Sequence, residues 1–277
     1  MKLYKYCGES GVYILGSGQL RLSPPNKFND PFEFSVVIDY SSVTKSKLLW
    51  HMKQDWWFFD GWYSRHRMGK DLQLSREFYN SHLEEIADQL LLDFPKNIEA
   101  EQGNSCNRAS DYWAVGCFSK IKDSTLMWSH YAENHRGMVF EFDTDYEPFN
   151  LTEIHFLRKV RYMQNRPVFK YELGNRTFNR QFPQMASCKH ECWRYEKEWR
   201  IIFPRTSLID GQYMPLNHQT FSSVILGHLC SERIAIAVHS LLRQPEFQHV
   251  KLYKASMNKS GYSLDFVEIP RGINSAP

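Results

Sequence analysis

Hydrophobic and polar positions divide the chain into alternating, helical and again alternating stretches. Leu3-Tyr4-Lys5-Tyr6 reads as a first strand, Gly8, Gly11, Gly16 and Gly18 break the next stretch into turns and one helical turn, and Gln19–Ser23 reads as a second strand stopped by Pro24-Pro25. From Ser42 to Phe94 the period becomes helical: Tyr79, Leu83, Ile86, Leu90 and Phe94 recur at three- and four-residue steps behind Ser75, an N-cap candidate. Residues 97–110 read as a polar connector. A strand is predicted over 112–119, then a helix capped by Asp123 and Ser124 that carries Met127, Trp128, Tyr131 and His135 as far as Gly137. Strands are predicted at 138–143, 160–162, 193–203, 221–227, 250–255 and 262–269, with a helix at 231–242 and a basic, irregular stretch at 165–185. The pattern predicts an α+β fold: a single domain over 1–277 with a helical, aromatic-rich insertion at 42–110.

Candidate chemistry concentrates in the predicted strand Trp193–Phe203. Strand alternation sends Glu196, Glu198 and Arg200 to one face and Tyr195, Lys197, Trp199 and Ile201 to the other. At strand rise the two carboxylates lie about 6 to 7 Å apart, close enough to perturb one another and to flank a sugar-sized group. A solvated strand face with one ion pair accounts for the same spacing. In the loop Asn26–Glu33, Pro31 pushes Asp30 out of the helical region, and Asn29 and Asp30 can cap nearby amides beside Phe32. Ser129, His130 and Tyr131 are the polar residues of their helix best placed to face a ligand. Arg166, Lys170, Arg176 and Arg180 could receive phosphates or form a solvated surface.

Composition narrows the classes. A net charge of +3 and a pI near 8.4 permit nucleic-acid contact through a local patch without demanding it. The cluster Trp50, Trp56, Trp57, Phe58, Phe59 and Trp62 suits a core or a base-stacking platform. Met1 leads directly into the first strand, and no apolar run reaches the length of a membrane span, so a soluble, cytoplasmic protein without a membrane partner is expected. The six cysteines are scattered and expected to be reduced; Cys188, His190 and Cys192 lack a fourth ligand nearby, so no metal is expected. No Walker loop or G-x-G-x-x-G occurs between Gly8 and Gly18.

The order of the boxes LYKY, LRLSPPNKFNDPFE, VGCFS, LMWSHYAENHRGMVFEFD, VRY and YEKEWRI resembles a bacterial family known as domain of unknown function 2971. More distantly, the chain resembles the ADP-ribosyltransferase superfamily, including toxins that modify DNA or RNA bases. That second resemblance implies a split mixed or antiparallel sheet and NAD as co-substrate. It places Tyr4, Lys5 or Tyr6 at the nicotinamide-ribose position of the first strand, Ser23 with the Asn29-Asp30 loop and Phe32 at the second, and Glu196-x-Glu198 at the catalytic position. Ser129, His130 and Tyr131 would converge on the same cleft, and Arg21, Lys27 or Arg200 would hold the diphosphate. Glu198 would stabilise the cationic ribose formed as nicotinamide leaves, while Glu196 orients or deprotonates the acceptor. The implied activity is transfer of ADP-ribose to a macromolecule, RNA or DNA in the first instance, in a bacterial toxin or phage-defence role with an antitoxin or other regulatory protein as partner. Two alternatives stand beside it. One is a non-catalytic nucleic-acid-binding module using Trp50 to Arg67 and Arg166 to Arg180; the other is an NAD or nucleotide glycohydrolase using the same acids on water. Glu198 also reads as a buried structural partner of Arg200 or Lys5.

Overall fold

The computed structural model describes residues 1–54, 80–151, 155–170 and 182–270, apart from the side chains of 94–108. Ser75, Tyr79, Trp56, Trp57, Phe58, Phe59, Trp62, Arg176 and Arg180 lie outside the described residues. The elements in order are β1 (Lys2–Cys7), α1 (Gly11–Ser17), β2 (Gln19–Arg21), β3 (Val37–Asp39), α2 (Lys45–Gln54), α3 (Leu83–Tyr112), β4 (Trp113–Ser119), α4 (Thr125–Tyr131) and β5 (Met138–Asp143). Next come β6 (Phe156–Lys159), β7 (Arg161–Met163), β8 (Val168–Lys170), β9 (Cys188–His190), a 3-10 turn (Glu191–Glu196), β10 (Glu198–Pro204), β11 (Tyr213–Pro215), β12 (Phe221–Leu226), α5 (Glu232–Leu242), β13 (Lys251–Met257) and β14 (Leu264–Glu268). The fold is α+β, built on a mixed, mainly antiparallel sheet in the order β14-β13-β12-β5-β1-β4-β10-β6, with β12 and β13 its parallel neighbours.

Period-2 patterning explains the two faces of this sheet. On β5, Met138, Phe140 and Phe142 enter one core with Leu3, Ile201 and Phe203, while Val139 enters the opposite core with Tyr6, Met127 and Trp128. The first core is closed by α5, whose Ile234, Val238 and Leu242 recur every four residues behind the Ser231 cap, where Oγ accepts the Ile234 amide at 3.4 Å. Each such fully buried aliphatic or aromatic side chain contributes about 1.5–3 kcal/mol. Between β1 and β4 the ladder registers at one pair, Tyr4 with Ser119, whereas β1 and β5 pair along six residues from Lys2–Asp143 to Cys7–Met138. The β1/β4 seam is therefore open beyond that pair. Lys5 Nζ donates to the Cys117 carbonyl at 3.0 Å across it, satisfying an acceptor that the missing ladder leaves over.

The chain divides into two compact units. The first takes in Met1–Glu33, Ala109–Gln164 and Ala186–Pro277 and holds the large sheet; the second takes in Phe34–Arg108 and Asn165–Met185. In the second, Leu48 and Met52 of α2 pack on Ile86, Ala87 and Leu90 of α3, Lys45 bridges Glu84 and Asp88, and β3 pairs in parallel with β8. Among the described residues, no helix is long and apolar enough to cross a membrane.

Three local expectations are corrected. Residues 97–110 belong to α3 and are not a connector: Glu, Gln, Ala and Arg propagate a helix without needing an apolar stripe. The helix after Ser124 ends at Tyr131, six residues short of Gly137. Glu133, Asn134 and His135 then take left-handed backbone angles (φ 48°, 52° and 67°), and the Leu229 and Gly227 amides lock this turn through the His135 and Gly137 carbonyls. Finally, 193–203 is not one strand. Its first part coils as the 3-10 turn, and Lys197 reverses the chain at φ 45° before β10 begins.

Gly137 lets the turn after α4 close against β1, because a Cβ there would lie 2.0 Å from the Cys7 carbonyl oxygen and 2.8 Å from the Gly8 Cα. Backbone atoms cannot swing aside as a side-chain tip can. Gly137→Ala is expected to destabilise the protein by about 1–3 kcal/mol in chemical denaturation; an unchanged denaturation midpoint would refute the close approach.

Candidate active site

The open seam leads to a cleft of about 570 Å³, solvent-facing mouth included, within the first unit. Tyr4, Tyr6, Phe28 and Tyr131 supply aromatic walls, and Lys5, Asn29, Glu33, Cys117, Lys189, Glu196 and Glu198 supply the polar lining.

Beneath the cleft five charged side chains meet, each no more than 5 % exposed. Arg200 sits on β10 two residues from Glu198, so strand alternation aims both at the same face. The guanidinium grips Glu198 with two prongs, Nε to Oε1 at 2.7 Å and Nη2 to Oε2 at 3.0 Å, and also bonds Glu33 Oε2 and the Ala186 carbonyl. Lys189, on β9, reaches Glu196 at 2.7 Å, Glu33 at 3.3 Å and Glu198 at 3.4 Å. Tyr131 donates to Glu196 Oε1 at 2.6 Å, and the Glu198 amide donates to the Tyr162 hydroxyl at 2.7 Å. Glu196 reaches this cluster from the 3-10 turn rather than by alternation. His190 Nδ1 caps the Cys192 amide at the start of that turn, and Ser119 Oγ holds the Glu196 carbonyl at 2.6 Å at its end.

The two glutamates occupy opposite electrostatic environments. Burial raises the Glu196 pKa, and Lys189 and Tyr131 offset only part of that effect; the neighbouring Glu198 charge adds least. Burial would also raise Glu198, but the Arg200 charge, then that of Lys189, outweighs it and holds Glu198 well below the usual carboxylate range. Lys189 is raised: burial opposes its charge and is overcome by Glu198, Glu33 and Glu196. The Tyr131 hydroxyl is pushed up by burial and by Glu196. A pair of acids driven apart in this way can hold one proton donor and one fixed charge in the same cleft.

Of the expected ligand-binding residues, Tyr4, Lys5, Tyr6, Asn29, Tyr131, Glu196 and Glu198 come together in the cleft lining, with Arg200 directly beneath. The others lie elsewhere. Arg21 is exposed and bonds Gln212; Ser23 bridges Val115 next to β4. Asp30 Oδ1 accepts the Phe32 amide, an Asx turn that leaves Phe32 66 % exposed. Ser129 Oγ bonds the Thr125 carbonyl in its own helix, and His130 stands edge-on to Tyr131. Arg21, Ser23, Asp30, Phe32, Ser129 and His130 are not among the described lining of the cleft. Cys188 is buried beside Arg161, Cys192 is exposed, and among the described residues no group of three His, Cys, Asp or Glu could hold a metal ion.

Lys189, Glu33, Cys117 and Phe28 were not singled out by sequence reasoning. One signal bears on Lys189 and Glu33: Glu198 and Arg200 lead into Ile201-Ile202-Phe203, an apolar run that implies burial, and buried charges require counter-charges from elsewhere in the chain.

Fold and site together define an α+β protein with a buried network of three carboxylates and two cations under an aromatic cleft. Residues 127–201, about a quarter of the chain, match the model of a family described as protein of unknown function (DUF2971). The matched segment runs from α4 into β10 and contains Tyr131, Lys189, Glu196, Glu198 and Arg200. No curated protein and no solved structure matches the chain.

Proposed function

We propose that the protein is an ADP-ribosyltransferase-like enzyme that cleaves the nicotinamide–ribose bond of NAD and transfers ADP-ribose to a macromolecular acceptor, RNA or DNA in the first instance, in a toxin or phage-defence setting. The supporting observation is the meeting of Glu196 and Glu198, with pKa values driven apart, on one lysine at the floor of an aromatic cleft. Breaking the bond releases neutral nicotinamide and leaves positive charge on the ribose, which fixed carboxylate charge stabilises. Glu198 supplies that charge. Arg200 and Lys189 occupy three of its roughly four acceptor positions, and the remaining one faces the Cys117 thiol, a weak donor that a ribose hydroxyl displaces. Glu196 accepts the proton of the attacking hydroxyl as the new C–O bond forms. The same arrangement acting on water makes a glycohydrolase, and the choice rests with the acceptor.

Incubation with NAD labelled in its adenosine half, alone and with RNA, DNA or protein, distinguishes these readings. Label retained on one macromolecule supports transfer, and free ADP-ribose alone supports hydrolysis. Intact NAD at millimolar concentration in every mixture would refute both.

A further inference from the structure

The floor of the cleft is unbalanced in charge. With every group ionised, Glu33, Glu196 and Glu198 face Lys189 and Arg200, leaving one negative charge in a place that water scarcely reaches. A buried surplus charge is costly unless something neutralises it. Glu33 Oε1 is fully buried and accepts no hydrogen bond from the described residues, although Glu33 lines the cleft; Lys189 Nζ, 3.3 Å away, is drawn instead to Glu196 at 2.7 Å. The walls above carry the rings of Tyr4, Tyr6, Phe28 and Tyr131 beside Lys5, with the Phe28 ring already under the Arg200 guanidinium, and aromatic rings attract a flat cation. From this geometry we infer that the cleft is a binding site for a singly charged, planar organic cation, taken up in exchange for a proton held by Glu196.

The groups facing Glu196 make it the seat of the proton. Lys189 approaches from β9, Tyr131 from α4 and Glu198 along the chain, while Tyr195 of the 3-10 turn and Tyr162 of β7 lie within the field of Glu196. Arg200 is committed to Glu198 and Glu33, so it cannot neutralise Glu196. Lys5 lies on the wall, half-buried, with its ammonium on the Cys117 carbonyl and toward the Phe118 ring. When the cleft is empty, a proton on Glu196 leaves two carboxylates against two cations and balances the floor. A cation entering the cleft makes that proton redundant and expels it, leaving Glu196 ionised.

This exchange rests on the proposed reaction and deepens it. The oxidised nicotinamide ring is a planar monocation, so its binding would ready Glu196 as a base. Bond cleavage then moves the positive charge to the ribose, and the attacking hydroxyl returns a proton to Glu196 as nicotinamide leaves neutral. Charge and protons balance over the cycle.

The test uses two small probes of nearly the same shape, nicotinamide methylated on its ring nitrogen, a pyridinium cation, and nicotinamide itself, which is neutral, titrated into the full chain by calorimetry in two buffers of different ionisation enthalpy. The cation should bind at least about tenfold more tightly, with close to one proton released per site at a pH where Glu196 is protonated. Glu196→Gln should abolish the proton release and shrink the preference. Equal affinity for the two probes, tighter binding of nicotinamide, or cation binding without proton release overturns the inference, and the wild-type protein alone suffices to read it. The outcomes separate from those of the NAD assay. Cation binding with no turnover of NAD sinks the proposed reaction and leaves the site standing, whereas turnover without charge preference does the reverse.

Discussion

Glu196→Gln should lower NAD cleavage and transfer by roughly 100- to 1000-fold, the usual loss for one proton-transfer or electrostatic group, while the protein stays folded. The charge count under the cleft explains the second half of this expectation. Removing Glu196's charge leaves Glu33 and Glu198 against Lys189 and Arg200, a balanced set, and the glutamine oxygen can still accept from Lys189. Stability should therefore hold or rise. Its pH dependence stems from the raised Glu196 pKa, for which burial is the main cause. A carboxyl that binds its proton more tightly in the folded state loses folding stability as pH rises from the ordinary carboxylate value through its raised one, and is neutral to stability below that window. Glu196→Gln lacks this loss, so its advantage over wild type should grow across the window and then level. Denaturation midpoints from pH 4 to 8, beside NAD turnover at each pH, provide the check. A well-folded variant with full turnover would remove Glu196 from the mechanism.

Arg200→Met should have the largest effect on stability, a loss of roughly 3–5 kcal/mol, equivalent to a melting temperature lower by about 6 to 20 °C for a chain of this size. Arg200 is 0 % exposed and carries the two-pronged contact to Glu198, the contact to Glu33 and the bond to the Ala186 carbonyl. Methionine fills the space but leaves Glu33 and Glu198 to share Lys189 with Glu196. Arg200→Lys should fall between, because an ammonium keeps the charge and forfeits the fork. Acid should narrow the difference. In wild type, Glu198 lies below the usual carboxylate range because Arg200 and Lys189 outweigh its burial, so its contribution is complete above the ordinary carboxylate value and is lost as pH falls through its own. Without Arg200 most of that contribution is missing at every pH. Thermal melts of both variants against wild type between pH 3 and 7 test this, and a melting temperature for Arg200→Met within a degree or two of wild type at neutral pH would show that the network is not structural.

The two experiments address different glutamates, and the structure gives the reason. From sequence, Glu198 is the central acid; in the cleft it is clamped by Arg200 and supported by Lys189, while Glu196, whose pKa burial raises, accepts from Tyr131 and Lys189. Glu198→Gln is therefore expected to act on folding as well as on any turnover, because it leaves Arg200 with Glu33 as its remaining carboxylate.

Local pattern was sufficient wherever the burial of one face dictated the element. Met138 to Asp143 alternates between two cores and is a strand at those bounds, and Ser231 with Ile234, Val238 and Leu242 specifies a capped amphipathic helix without tertiary help. The acid pair was visible as Glu196-x-Glu198. Its geometry was not, because alternation along 193–203 satisfies a strand as well as a turn leading into a strand, and the choice is made by partners distant in sequence: Ser119 on the Glu196 carbonyl, and the Lys120 amide on that of Lys197. Lys189 and Glu33 could not be assigned at all from spacing. Glu33 lies 167 residues from Arg200, and only the folding of β1, β4 and β10 into one sheet brings the loop after β2 over the guanidinium. Short-range periodicity determined strands and helices where the burial of a face sets the period, as at 138–143 and 231–242. Tertiary structure decided which carboxylate is clamped by Arg200 and which is left to Lys189 and Tyr131, since that depends on β9, α4 and the loop carrying Glu33 meeting β10.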